Sequence, residues 1–140
     1  MNMKLNAAGE QMIGEATDHL TVLDEKTGLQ WAVNVPDLQG KLLDHADAEK
    51  AVAALNHAGH ADWRLPTPHE LFGLVSYENG DVLTNMDLFP DTLTDDWYWT
   101  SQVAPWSTSC AFAVYFYYGC VDSYGRYLKC FVRPVRVARQ

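Results

Sequence analysis

Three observations predict an α+β fold, with two helices packed on antiparallel sheet and long loops between elements. A strand–turn–strand pattern occurs near residue 20, two later segments carry side chains suited to cap helices, and a final run of strand-like segments is rich in aromatics. Strands grouped before and after the helices, rather than alternating with them, argue against βαβ winding.

Residues 1–17 are polar and small and read as an arm or an oligomerisation segment, ahead of one domain over 18–140. LTVL at 20–23 is a short strand. DEKTG at 24–28 is a turn whose glycine tolerates positive φ, and the alternating LQWAV at 29–33 returns as a second strand. The first helix is expected over 44–58. Asp44 suits the N-cap, Asp47 lies near the positive end of the helix dipole, and Ala48, Ala51, Val52 and Leu55 share one face, with Gly59 as terminator. Thr67, Pro68 and Glu70 announce the second helix: a capping residue, a proline at the first helical position and the glutamate of a capping box. Leu71, Leu74 and Val75 supply its buried face. Residues 77–96 are acidic, broken by Gly80 and Pro90, and read as a solvated loop. Strands are expected at 97–101, 111–116, from Val121, and at 130–136, where Pro134 indicates an edge or bulge.

A 140-residue chain with 48% hydrophobic residues buries a core unaided and is not disordered. Its net charge of −8 argues against nucleic acid as a partner, because such binding needs cationic surface. The charge is uneven. Residues 1–96 hold 17 acids and 5 bases, whereas 97–140 hold one acid, Asp122, and five bases, Arg126, Lys129, Arg133, Arg136 and Arg139. Twelve of the 17 aromatics lie between Trp97 and Phe131, together with all three cysteines. The basic, aromatic mixture is of a kind that binds single-stranded nucleic acid, but the acidic remainder would repel a polyanion. The N-terminus lacks the apolar run of a signal peptide and no segment spans a bilayer, so the expectation is a chain cytoplasmic as synthesised, with no membrane partner. Three cysteines spaced by ten residues do not match a zinc site and read as free thiols.

TGLQW at 27–31, DWRLPT at 62–67 followed by Glu70 and Leu71, YWTS at 98–101 and FVRPVR at 131–136 occur in one order. Together they resemble the Lcl C-terminal domain family, related to the C-type-lectin and sulfatase-modifying-factor folds, over about 20–137. The resemblance implies a C-type-lectin-like fold and a scaffold role for Trp31, Trp63, Arg64, Trp99, Arg133 and Arg136. The tryptophans would anchor the core, and Arg64 and Arg133 would hold irregular backbone through their several donors.

Residues 106–130 read WSTSCAFAVYFYYGCVDSYGRYLKC. Ala111, Phe112, Val114, Phe116, Gly119 and Val121 form a frame. Among and around them stand Ser107, Thr108, Ser109, Cys110, Tyr115, Tyr117, Tyr118, Cys120, Asp122, Ser123, Tyr124, Gly125, Arg126, Tyr127 and Cys130, and Trp106 opens the segment. Apart from Trp106, each of these has a codon reachable from AAC by changing only its adenines. The segment has no Asn, although six occur earlier. The pattern resembles the variable region of proteins diversified by diversity-generating retroelements, whose members commonly carry a C-type-lectin fold. That resemblance implies a diversified ligand-binding face, a phage, prophage or bacterial setting, virion association if phage-encoded, and delivery through self-association or a carrier protein. The residue types agree with a face for a protein or another cell-surface ligand. Tyr with Ser, Gly and Asp is the composition of binding loops, and adjacent tyrosines at 117 and 118 cannot share one side of a regular strand.

No cofactor or metal is expected. His45, His57, His60 and His69 read as solvated residues at helix ends, and the acids of the 77–96 loop lack calcium-loop spacing. An enzyme is not expected, since a catalyst would not leave its cysteine at an interchangeable position. The alternatives are a fixed adhesion or assembly domain of the Lcl type, with its tyrosines partly buried, and thirdly an oxidase of the formylglycine-generating kind.

Overall fold

The computed structural model describes residues 2–77 and 84–138. It contains β1 (Asn2–Leu5), β2 (Gln11–Met12), β3 (Thr21–Asp24), β4 (Leu29–Ala32), α1 (His45–Ala53), α2 (Pro68–Phe72), β5 (Tyr98–Ala104), β6 (Ser107–Tyr115), β7 (Cys120–Gly125) and β8 (Val135–Val137). The strands form two antiparallel sheets, one of five strands ordered β2-β1-β3-β4-β8 and one of three ordered β5-β6-β7. The α+β expectation holds, with more sheet than helix.

The N-terminal segment departs from the expected arm. Asn2 to Leu5 pair with Thr21 to Asp24 through four register positions, and Lys4 is buried with its ammonium on Ala16 O and Asp87 Oδ1, both at 2.8 Å. The run NMKL alternates polar and apolar residues, but over four positions with no β-branched or aromatic side chain it carries little strand signal.

Helix α1 begins where expected, with Asp44 accepting from the Asp47 N–H at 2.9 Å, but it ends at Ala53 rather than 58. The chain then turns so that Leu55 and His57 enter the core, and Gly59 (φ +78°) sits in the turn joining His57 to His60 instead of ending the helix. Helix α2 carries the expected capping box: Thr67 Oγ1 accepts from Glu70 N, and Glu70 Oε1 accepts from Thr67 N. Glu70 also takes both terminal nitrogens of Arg64, at 2.8 and 2.9 Å. This hydrogen-bonded pair holds the Glu70 carboxyl below its ordinary range. Thr67→Ala removes the cap acceptor and is expected to lower stability by about 1 kcal/mol in urea denaturation, with Thr67→Ser close to wild type.

Two apolar clusters fill the interior. One packs α1 (Ala48, Val52) against Trp63, Trp99, Ala111, Ala113 and Cys130. The other places Val22, Trp31, Leu71, Phe89, Tyr98, Val114, Phe116 and Val135 between the sheets and α2. Residues 130–137 join the layers. Cys130 bridges Leu43, Phe131 bridges Tyr98, and Val135 pairs with both Trp31 and Arg64. Pro134 directly precedes β8, an edge strand, where no ladder donor is lost.

A bulge in β5 sets the geometry of the second sheet. Trp99 pairs with Ala113 but Val103 with Ala111, so residues 100–102 leave the ladder as a bulge, with Thr100 buried and Ser101 and Gln102 exposed. There the Thr100 carbonyl accepts from His45 Nε2 at 2.8 Å and the Ser101 N–H donates to Pro66 O at 2.8 Å. His45 and His57 are therefore buried structural donors, not solvated helix-end residues; His57 Nε2 lies on the Leu20 and Val33 carbonyls at 2.8 and 3.1 Å.

The expected solvated loop is also corrected at Asp91. Its side chain is only 7% exposed and pairs with Arg133 at 2.8 Å, while one carboxylate oxygen accepts from Asn34 N. Glu78, Gly80, Asp81 and Arg139 lie outside the described residues. No helix among the described residues is long and apolar enough to cross a membrane.

Candidate functional site: the β6–β7 hairpin

The register Cys110↔Gly125 to Tyr115↔Cys120 makes β6 and β7 a regular hairpin, closed by residues 116–119 with Gly119 at φ +66°. Because β-strand side chains alternate, Ser109, Ala111, Ala113 and Tyr115 share one face with Cys120, Asp122, Tyr124 and Arg126. Towards α1 that face is core: Ala111 and Ala113 are fully buried beside Trp99. Beyond it the face opens. The frame residues Ala111, Val114, Phe116 and Gly119 are buried, as is Ala113 between them, and Phe112 is half-buried against Trp106. Val121, placed in the frame by sequence, is instead 37% exposed on the edge strand of the second sheet.

The candidate ligand-binding residues divide between the two ends of the hairpin, about 17 Å apart at ~3.4 Å per residue. At the closed end Tyr117 and Tyr118 are 47% and 69% exposed. A chain of rings runs from them into the core. Tyr118 meets Tyr115 edge-on at 5.3 Å, Tyr115 stacks on Trp97 at 4.9 Å and 15°, Trp97 stacks on Tyr124 at 5.6 Å, and Tyr124 meets Trp99 at 6.1 Å. Stacked and edge-on pairs at such separations hold rings in place beyond simple burial. Burial raises the Tyr115 hydroxyl, and the Tyr118 and Tyr117 hydroxyls and the carboxylates of Asp96 and Asp95 add to the rise. Burial and Asp96 raise Tyr124 likewise.

At the open end Trp106 and Tyr127 are 67% and 79% exposed, Thr108 and Ser109 are exposed, and Ser107 Oγ lies 2.8 Å from Ser109 Oγ. A Cβ on Gly125 would come within 2.7 Å of the Tyr127 ring, so Gly125 and Tyr127 exchange only together or with a rotated ring. Arg126 is less free than a surface residue. Its Nε donates to His45 Nδ1 at 3.0 Å and its Nη2 lies 3.4 Å from Glu49. Since His45 Nε2 donates to a carbonyl, Nδ1 is the acceptor. Cys110, Cys120 and Ser123 are half-buried, and Asp122 is exposed on β7.

Cys130 is corrected. It is completely buried in the α1 cluster, bridged to Leu43, and burial with Asp96 pushes its thiol far above the ordinary range. It belongs to the scaffold, not to the face. A thiol-specific reagent is therefore expected to modify Cys110 and Cys120 in the folded protein and Cys130 only in denaturant, read by mass spectrometry of intact protein and peptides.

The named scaffold residues occupy structural positions. Trp31, Trp63 and Trp99 are buried, and Trp63 Nε1 donates to His60 O at 3.1 Å. Arg133 reaches Ala32 O, Asp91 and Thr92 Oγ1 and lies over the Phe89 ring. Arg136 spans Asp62 and Gln30, whose amide continues to Thr21. Arg64 is more exposed and serves chiefly the cap of α2. Sequence reasoning misses Tyr77, Asp95 and Asp96 as neighbours of the face. Tyr77 is 67% exposed and donates to Gly119 O at 3.0 Å, and Asp96 Oδ1 accepts from Trp97 N at 2.9 Å. The adjacency of DDW at 95–97 is the available signal for the acids. Among the described residues no group of three or more His, Cys, Asp or Glu is placed to hold a metal ion.

Two sheets and two short helices carrying one hairpin of exposed aromatics define a small α+β domain with a built scaffold and a solvent-facing tip. The family model for the Lcl C-terminal domain matches residues 20–136, and the chain belongs to that family. A comparison with curated proteins gave no match.

Proposed function

We propose that this chain is a non-enzymatic ligand-binding domain with a C-type-lectin-like arrangement. It holds a protein or another cell-surface molecule at the exposed positions of residues 106–127, and those positions are diversified by a retroelement. One observation carries the reading: the hairpin's two residue sets separate by burial. All the candidate variable residues except Cys130 reach solvent, whereas the frame is buried except at Phe112 and Val121. Exposed aromatic clusters of this size on a small domain mark interaction surfaces. Tyr117, Tyr118 and Tyr127 are exposed and only Tyr115 and Tyr124 are half-buried, which favours this reading over a tyrosine-filled core.

The genomic DNA tests it. The reading expects a near-repeat of the codons for about residues 106–136 beside a reverse-transcriptase gene, differing only at template adenines. Absence of any such repeat removes the diversification. Membership of the Lcl C-terminal domain family favours a second reading, a fixed adhesion or assembly domain that binds through the same hairpin. It is distinguished by an invariant segment in the genomes of close relatives of the host.

A further inference from the structure

We propose that the closed end of the hairpin receives an arginine or lysine side chain of a protein partner, with the rings of Tyr117 and Tyr118 facing the cation, Tyr115 and Trp97 bracing them from behind, and Asp95 and Asp96 providing counter-charge. The inference rests on the hairpin being a binding face and adds the chemistry of what it binds.

The C-terminal stretch 97–140 is basic in sequence, yet three of its five bases are paired within the fold. Arg133 is paired with Asp91, Arg136 with Asp62, and Arg126 with Glu49 and His45. Lys129 follows β7 at the open end, away from the turn at 116–119. The acids of the closed end have no such partners. Among the described residues, no Lys, Arg or His lies within 4.0 Å of the carboxylates of Asp95, Asp96 or Asp122. Asp95 is exposed and Asp96 half-buried, and both act electrostatically on Tyr115. The closed end therefore presents negative carboxylates beside aromatic faces, which are themselves the negative pole of the ring quadrupole. A guanidinium or ammonium gains from both at once, and guanidinium gains more because it stacks flat and forks to carboxylate. An acidic partner would meet repulsion from three unneutralised carboxylates.

Tyr117 and Tyr118 form the accessible part of this receptor, 5.1 Å apart and inclined at 47°, with Tyr118 braced edge-on by Tyr115. Their rings are held at one end and open at the other, so a cationic side chain enters without displacing core residues.

The test pans a displayed random-peptide library against the full chain, then measures the selected peptides by titration calorimetry on three variants. Asp95→Asn/Asp96→Asn removes charge, while the amide oxygen introduced at position 96 can still accept from Trp97 N. Asp95→Lys reverses charge at an exposed position, and Tyr117→Ala/Tyr118→Ala removes the accessible rings. The expected result is enrichment of Arg or Lys, with affinity about tenfold weaker in each variant and weakened by salt. Peptides that need Tyr117 and Tyr118 but show no cationic enrichment and no sensitivity to the Asp variants would overturn the cation and leave the binding face standing. Peptides indifferent to the tyrosines would overturn both.

Discussion

Replacing Arg133 with Met is expected to lower folding stability by about 3–5 kcal/mol, the effect of leaving a buried carboxylate without its cation. Both partners are nearly inaccessible, at 5% and 7% side-chain exposure, and the guanidinium also donates to Ala32 O and Thr92 Oγ1. The loss falls mainly on Asp91, which stays in a place built for an ion pair and still holds the Asn34 N–H, where Asn34 has φ +55°. Asp91→Leu should cost a comparable amount. The double variant Arg133→Met/Asp91→Leu should lose clearly less than the two single losses combined, because no unpaired charge remains. Urea denaturation followed by circular dichroism measures all three. Additive losses would show that the pair acts only through packing.

The second large effect is expected at Trp99. It is fully buried, donates from Nε1 to Leu43 O at 2.8 Å, and lies against both His45 and Tyr124. Trp99→Ala should cost about 3–5 kcal/mol through the cavity it leaves. The ring chain from Tyr124 to Tyr118 would also lose its inner support. Trp106 is the matched control, the same residue type at 67% exposure with its ring against Phe112. Trp106→Ala should change stability by less than about 1 kcal/mol. Similar losses at the two positions would contradict the division into scaffold and face.

What can be read from sequence is local or periodic. Thr67, Pro68 and Glu70 announce α2 because a capping box is completed within one helical turn, and Asp44 announces α1 for a similar reason. The hairpin frame is legible at Ala111, Val114 and Phe116, whose burial follows their place in the two apolar clusters. What is not legible depends on distant partners. Arg133 and Asp91 are 42 residues apart, and Arg136 and Asp62 are 74 apart, so both arginines read as free in the sequence although the fold neutralises them. Helix α1 is shorter than its pattern suggests because burying Leu55 and His57 outweighs continued helix. Lys4 has the character of a polar arm, and only the fold brings Asp87 and the Ala16 carbonyl to it. Cys130 fits the interchangeable set by residue type, yet its place opposite Leu43 makes it core.

The most direct test of the central claim is a substitution scan of residues 106–130 with protease resistance of the folded chain as readout. The account predicts broad tolerance at Trp106, Thr108, Ser109, Tyr117, Tyr118, Asp122 and Tyr127, and intolerance to large or charged residues at Ala111, Ala113, Val114, Phe116 and Cys130. Intolerance at the exposed tyrosines equal to that at the frame would contradict it, making the hairpin a core element rather than a displayed face.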